Sequence, residues 1–320
     1  MMKRSIFIIL ILALTIIFPL ITSNNFLIRF VTDILIFAIL ASSWNIIGGY
    51  TGYASFGNVV FFGTGAYSTA IVMNITGAPF FISLIAGGLV SAFLALMIGL
   101  PILRLKGHYF AIATLGVAEA MKALVQNLDI TEGNSGLYLP PPDMSINGIY
   151  RYFFYITLGV LIVLLVSTWL IFKKRIGFNI KAIRENEDSA NSMGINTTRY
   201  KSIAFMISGF FTGLAGSIYA FQQGFIKPEP VFSILITIKM IVMSVFGGLG
   251  TLFGPLIGAI TIEVISEILS NYFLIAHTLF LGIIIILMTL FAPRGMLDAT
   301  ENLKRSGLSY FRKNIKEHRV

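Results

Sequence analysis

From Ile34 to Leu103 the chain carries no Asp, Glu, Lys or Arg, a run of 70 residues. A soluble core explains such a run poorly, because no charged residues are left to cover it. Similar gaps run from Tyr152 to Phe172, Ser202 to Ile226, Met240 to Ile262 and Ile268 to Pro293. A charge-free apolar stretch of about 18 residues or more is long enough to cross the hydrocarbon core of a bilayer as a helix. Several of them in one chain describe a multi-pass membrane protein. Overall, 12% of residues are charged, against roughly a quarter in a soluble domain.

Backbone in lipid must satisfy its own hydrogen bonds, so each apolar run is expected to be helical. The predicted spans are 5–22, 26–46, 53–73, 80–103, 107–126, 150–172, 201–221, 232–247, 253–270 and 274–292. The expected fold is therefore all-α and polytopic, with about ten transmembrane helices. The first run follows two basic residues but has no small-x-small cleavage pattern after it, so it reads as an uncleaved helix. Ten crossings put both termini on one side, and basic residues choose the side. With cytoplasmic termini, 18 of the 23 Lys and Arg fall in inside segments, which the positive-inside rule favours. This accounts for the net charge of +9 without a nucleic-acid partner. Residues 1–295 form the membrane domain, and 296–320 a basic cytoplasmic tail. The longest outside loop, 127–149, contains three consecutive prolines and is expected to be stiff and non-helical.

Little points to catalysis. There is no cysteine, which removes disulfides and thiolate chemistry together. His108, His277 and His318 are scattered, and no H-E-x-x-H or Walker A pattern occurs. Neither a cofactor nor a metal site is expected in this chain, and energy for any transport must come from another subunit or an ion gradient.

One segment, 174–200, interrupts the apolar pattern and is placed in the cytoplasm. Within it, Phe178 to Met193 is expected to form one amphipathic helix, with Ile180 and Ile183 on one face. Lys181 with Glu185, and Arg184 with Asp188, are spaced as i,i+4 ion pairs. Gly194 follows as a left-handed stop. On physical grounds this is either a solvated loop helix or a docking helix for a cytoplasmic partner.

The residues here also carry a resemblance. "DSANSMG" (188–194) resembles the EAA loop of ABC-importer permeases, with Asp188 for the Glu, Ser189 and Ala190 for the two alanines, and Gly194 at the right spacing. Residues 182–220 resemble the corresponding segment of branched-chain amino-acid permeases of the LivM type. So do the Gly-rich blocks 49–70 and 246–259, and "LRLKGHYFAIATLGVAEA" at 103–120. The resemblance implies the permease subunit of an ATP-driven importer in the cell membrane. It also implies a second homologous permease, two cytoplasmic ATP-binding subunits and an external solute-binding protein. Arg184, Asp188, Ser189, Ala190 and Gly194 would then form the coupling helix, with Ala190 on the face the ATPase covers and Arg184 and Asp188 at the rim. ATP would be held by the partners. The family favours leucine, isoleucine and valine, and relatives resemble carriers of urea and short amides. One departure lies in the outside loop, where "TEGNSG" (131–136) stands in place of Thr-Gly-Gly-x-x-Gly. A self-contained secondary transporter is the alternative from another class.

Further candidates follow from residue type. Thr51, Ser55 and Asn58 sit among glycines at membrane depth, as in a broken helix lining a solute path; polar packing between helices explains them equally well. Glu119 is an intramembrane acid, hence a pathway candidate, with Lys122 one turn on as a local partner. Gly209, Gly213, Gly250, Gly254 and Gly258 have the spacing of close helix packing. Lys239 and Glu263 reach similar depth on successive helices and are expected to pair across them.

Overall fold

The computed structural model of the chain describes residues 14–22, 24–142, 144–272 and 282. Helix α1 comprises residues 14–21. Then come α2 (Asn25–Thr51), α3 (Asn58–Thr76), α4 (Phe80–Ile102) and α5 (His108–Asn127). Two 3-10 turns and a two-residue strand, β1 (Leu137–Tyr138), lead to α6 (Ile146–Lys173). The short helices α7 (Arg175–Glu185) and α8 (Glu187–Ser192) precede α9 (Thr197–Gln223) and β2 (Phe225–Ile226). The described chain continues through α10 (Pro228–Val231), α11 (Ile234–Gly247) and α12 (Gly254–Tyr272).

Among the described residues, six stretches are long and apolar enough to cross a membrane: Asn25–Thr51, Asn58–Thr76, Phe80–Ile102, Ile146–Lys173, Thr197–Gln223 and Pro228–Gly247. The sequence led us to expect ten. Helices α5 and α12 match two more of the expected spans in position but are not among the six; they carry Glu119 with Lys122 and Glu263 with Glu267. The span 274–292 apart from Gly282, residues 5–13 of the span 5–22, and the tail 296–320 lie outside the described residues.

Helices α2 and α9 are central. α9 packs against α2, α3 and α4, while α2 also meets α6, α11 and α12. Small residues make the tightest crossings. A Cβ on Gly65 would overlap the Gly213 carbonyl, one on Gly216 the Phe62 carbonyl, and one on Gly87 the Ser217 hydroxyl. Hydroxyls bind across these contacts: Ser217 Oγ donates to the Gly65 carbonyl at 3.1 Å, and Ser91 Oγ to the Phe61 carbonyl at 3.0 Å. Such side chain-to-backbone bonds hold helices together where lipid gives no hydrophobic push between them. The outer faces are apolar instead of polar. α4 exposes Phe81, Ile82, Ile85, Leu89, Phe93 and Met97, a face that suits lipid and would be a liability in water.

The chain breaks between α2 and α3. α2 runs five residues past its expected end at 46, because Gly48 and Gly49 fit inside the helix beside Trp44 and Gly250. It stops at Gly52, whose φ is +79°, and residues 52–57 are non-helical. At the far end of the bundle β1 pairs antiparallel with β2, Leu137 opposite Ile226 and Tyr138 opposite Phe225. This small ladder fixes the 127–149 loop to the end of α9.

Candidate functional site

The polar insert folds as two helices, not one. Asn186 adopts an extended conformation, φ −160° and ψ 111°, and its side chain accepts a hydrogen bond from Ser189 N. A capping Asn offers the first turn of a new helix an acceptor that continued helix would not use. The expected helix from Phe178 to Met193 is therefore split into α7 and α8. The inner face of the pair is formed by Ile180, Ile183 and Ala190, all buried. Ala190 is fully buried within the chain itself, so it does not lie on an outward face as its motif position implied. Outside are Asp188, Ser189 and Met193, with Met193 71% exposed. Gly194 ends the pair at φ +82°. Asp188 pairs with Lys106 in the loop after α4, at 2.5 Å, and not with Arg184. That contact raises the Lys106 pKa above its usual value, chiefly through the hydrogen bond to Asp188. The Arg184 stem instead lies over Gly52 and its guanidinium reaches Gly250.

The root of α8 holds a buried ion pair that the residue types alone did not reveal. Lys201, 1% exposed, donates to Glu187 Oε1 at 2.6 Å, to the Leu103 carbonyl at 2.7 Å and to Tyr53 Oη at 3.1 Å. The three N–H groups of the ammonium are thus each matched to an acceptor. Tyr53 Oη in turn donates to Glu187 Oε2, and the ammonium lies 4.3 Å from the centroid of the Tyr53 ring. Burial pushes the Glu187 pKa up, but the hydrogen bonds from Lys201 and Tyr53 outweigh it and hold the carboxyl below its usual value. By residue type alone Lys201 belongs with the solvated basic flank. The available signal was its register: Lys201, Phe205, Ser208 and Thr212 recur on the buried face of α9.

The pathway candidates at the break are all interior. Thr51 is 1% exposed, and Ser55 and Asn58 are fully buried. Trp44 Nε1 donates to the Ser55 carbonyl at 2.7 Å. Phe56 N donates to Thr114 Oγ1 on α5 at 3.0 Å, and Asn58 Nδ2 to Ser208 Oγ on α9 at 2.9 Å. Val59 N donates to Thr237 Oγ1 on α11 at 3.0 Å. The break and the first turn of α3 are thereby bonded to four helices. Glu119 lies elsewhere, on α5, with an exposed carboxylate 3.9 Å from Lys122 Nζ.

All five packing glycines sit at close approaches. A Cβ on Gly209 would come 2.6 Å from Ala95 Cβ, and one on Gly213, Gly254 or Gly258 would overlap Ser91, Thr251 or the Met243 carbonyl. Gly250 is different: its φ is +72° and it forms the turn before α12, under the Arg184 guanidinium. Lys239 Nζ lies 3.0 Å from Glu263 Oε1 and 4.5 Å from the centroid of the Phe37 ring. In the 127–149 loop, Glu132 takes φ +52°, alone among the described non-glycine residues. The "TEGNSG" departure thus puts a side chain where the backbone favours glycine.

The family described as branched-chain amino acid transport system, permease component, matches residues 26–291. The chain is 30% identical to the high-affinity branched-chain amino acid transport system permease protein LivM of Salmonella typhimurium, over 93% of this chain and 76% of that protein. LivM of Escherichia coli gives the same figures. The autoinducer 2 import system permease protein LsrC of Photorhabdus laumondii is 27% identical over half of each chain. No solved structure matches. With residues 26–291 matched, the chain belongs to the branched-chain amino acid transport system permease family.

Proposed function

We propose that this chain is the membrane-spanning permease subunit of an ATP-driven importer for branched-chain amino acids. It forms half of the translocation path, beside a second, homologous permease, and docks a cytoplasmic ATP-binding subunit on α7 and α8. An external solute-binding protein delivers the solute to the opposite face, near the 127–149 loop. Both termini are cytoplasmic.

The hinged helix pair carries this reading. It is closed onto the bundle through Ile180, Ile183 and Ala190, and open on the side of Asp188, Ser189 and Met193. An apolar Met193 side chain at an exposed tip suits a partner cleft better than water. The position fits as well, since basic residues surround the insert from Lys173 to Arg199. The relatives' names supply the solute class.

The test combines uptake with topology. Expressed with its neighbouring subunits, the protein should support uptake of labelled leucine and bring ATP-hydrolysing subunits through purification. A cysteine at Asn186 should be blocked only by membrane-permeant reagents, and one at Asn134 by impermeant reagents. Labelling of Asn186→Cys from outside, or purification of the wild-type protein without any ATPase, would sink the reading.

A further inference from the structure

We propose that Glu187, Lys201 and Tyr53 are positioning residues that carry movement of α8 into the break between α2 and α3. The inference rests on the permease reading, because an ATPase must be present to move α8. Each residue belongs to a different part of the molecule. Glu187 is the first residue of α8, directly after the Asn186 hinge. Lys201 lies in the second turn of α9, in the packed centre of the bundle. Tyr53 belongs to the non-helical 52–57 segment, and the Leu103 carbonyl closes the end of α4. One ammonium therefore joins the docking helix, two bundle helices and the break.

The chemistry favours transmission over simple fastening. A buried ion pair is a poor way to gain stability, since well-packed apolar residues of similar volume often do as well or better. Apolar contacts slide, whereas charge-assisted hydrogen bonds are short and directional. A shift of Glu187 must then pull on Tyr53 Oη and Lys201 Nζ together. Tyr53 lies two residues from Ser55 and three from Phe56, which are bonded to α2 and α5. Farther along, Asn58 and Val59 are bonded to α9 and α11. A displacement entering at Tyr53 reaches four helices through bonds already in place. The second contact of the insert ends at the same segment, because the Arg184 stem lies over Gly52. Both helices of the pair thus hold the break, α7 at its first residue and α8 at its second.

The experiment uses the assembled transporter in proteoliposomes. Solute moved and ATP hydrolysed are measured together for wild type, Tyr53→Phe, and the double variant Lys201→Met with Glu187→Gln. Tyr53→Phe keeps the ring and loses both hydroxyl bonds. The double variant leaves no buried charge unpaired, so it should fold and retain its ATPases. In both, hydrolysis should continue while solute moved per ATP falls by about fivefold or more, the lower end of typical coupling between sites. An unchanged ratio in both variants would overturn the inference and leave the cluster as a structural pin. Loss of the ATPases from the double variant would overturn it too, because the cluster would then serve docking. If wild type itself carries no ATPase, the permease reading fails and this inference with it.

Discussion

Lys239 on α11 and Glu263 on α12 meet at 3.0 Å between adjacent helices, with the Lys side chain 36% and the Glu side chain 12% exposed. Neither charge is stable alone in an apolar environment. Lys239→Ala and Glu263→Ala should each destabilise the protein in detergent. The double replacement should cost less than the sum, with a coupling of about 1–2 kcal/mol, the middle of the range for residues in contact. The partial exposure of Lys239 keeps the figure below that of a fully buried pair. Unfolding midpoints of the four proteins in the cycle measure it, and strict additivity would mean the two charges do not interact.

Gly65 and Gly116 should respond oppositely to the same substitution. A methyl group on Gly65 has no room, since the Gly213 carbonyl occupies its place at the α3–α9 crossing, whereas Gly116 on α5 has nothing within 4 Å. Gly65→Ala should cost about 1–3 kcal/mol, as overpacking does in dense interiors. Gly116→Ala should leave stability unchanged or slightly raised, because Ala is the better helix former. Thermal midpoints of the two variants give the comparison directly.

These contrasts show which features the sequence could reveal. The positions of the long helices were legible because the charge-free runs are set by the bilayer, and α4 and α6 fall within a few residues of expectation. The Lys239–Glu263 contact was legible because depth can be counted along two successive helices. Gly209 and Gly213 were visible as a spacing, but their partners Ala95, Ser91 and Gly65 were not, since helix pairing is decided by tertiary packing. The split at Asn186 was hidden because helical periodicity continues across it, while a single capping hydrogen bond decides the backbone. Motif position alone puts Ala190 on the wrong face, since a six-residue helix has no periodicity long enough to orient it. Lys201 was hidden because its charge fits the basic flank as well as it fits a buried pair.

Glu132 is strained in a way its usual counterpart would not be. An L-residue in the left-handed region costs roughly 1–2 kcal/mol, and glycine avoids this. Glu132 has φ +52° and is followed by Gly133 at the same value. Glu132→Gly should therefore stabilise the folded protein by about 1 kcal/mol, reduced somewhat by the greater freedom of glycine in the unfolded chain. A midpoint no higher than that of wild type would mean that the Glu132 side chain compensates for its backbone.

Gly194 and Ala190 should fail for different reasons. Gly194 needs a left-handed backbone but has open space around it, with nothing within 4 Å of the point a Cβ would occupy. Gly194→Asn should be tolerated, since Asn enters this region readily, and Gly194→Val should strain the end of α8 by about 1–2 kcal/mol. Ala190 is fully buried, so Ala190→Trp should disturb α8 from within and lower the unfolding midpoint before any partner is added. Midpoints of the isolated permease separate the two effects. If Ala190→Trp matches wild type in that measurement, the inner face of α8 is looser than its burial implies.

The last prediction concerns acid. Glu187 titrates below its ordinary value of 4.5 in the folded protein: burial raises it, and the hydrogen bonds from Lys201 and Tyr53 more than reverse that. A carboxyl whose folded pKa is depressed contributes stability above its unfolded pKa and loses it as pH falls through the folded one. The contribution of this cluster should thus be intact at neutral pH and decline as pH drops below about 4.5. Glu187→Gln removes the titration and leaves Lys201 without its carboxylate. Its midpoint should be lower than that of wild type at pH 7 and should fall less steeply between pH 5 and 3, so that the two curves converge in acid. The measurement is the thermal midpoint of both proteins in detergent across that range. Parallel curves would show that Glu187 does not release its ion pair there, and would remove Lys201 as the cause of its lowered pKa.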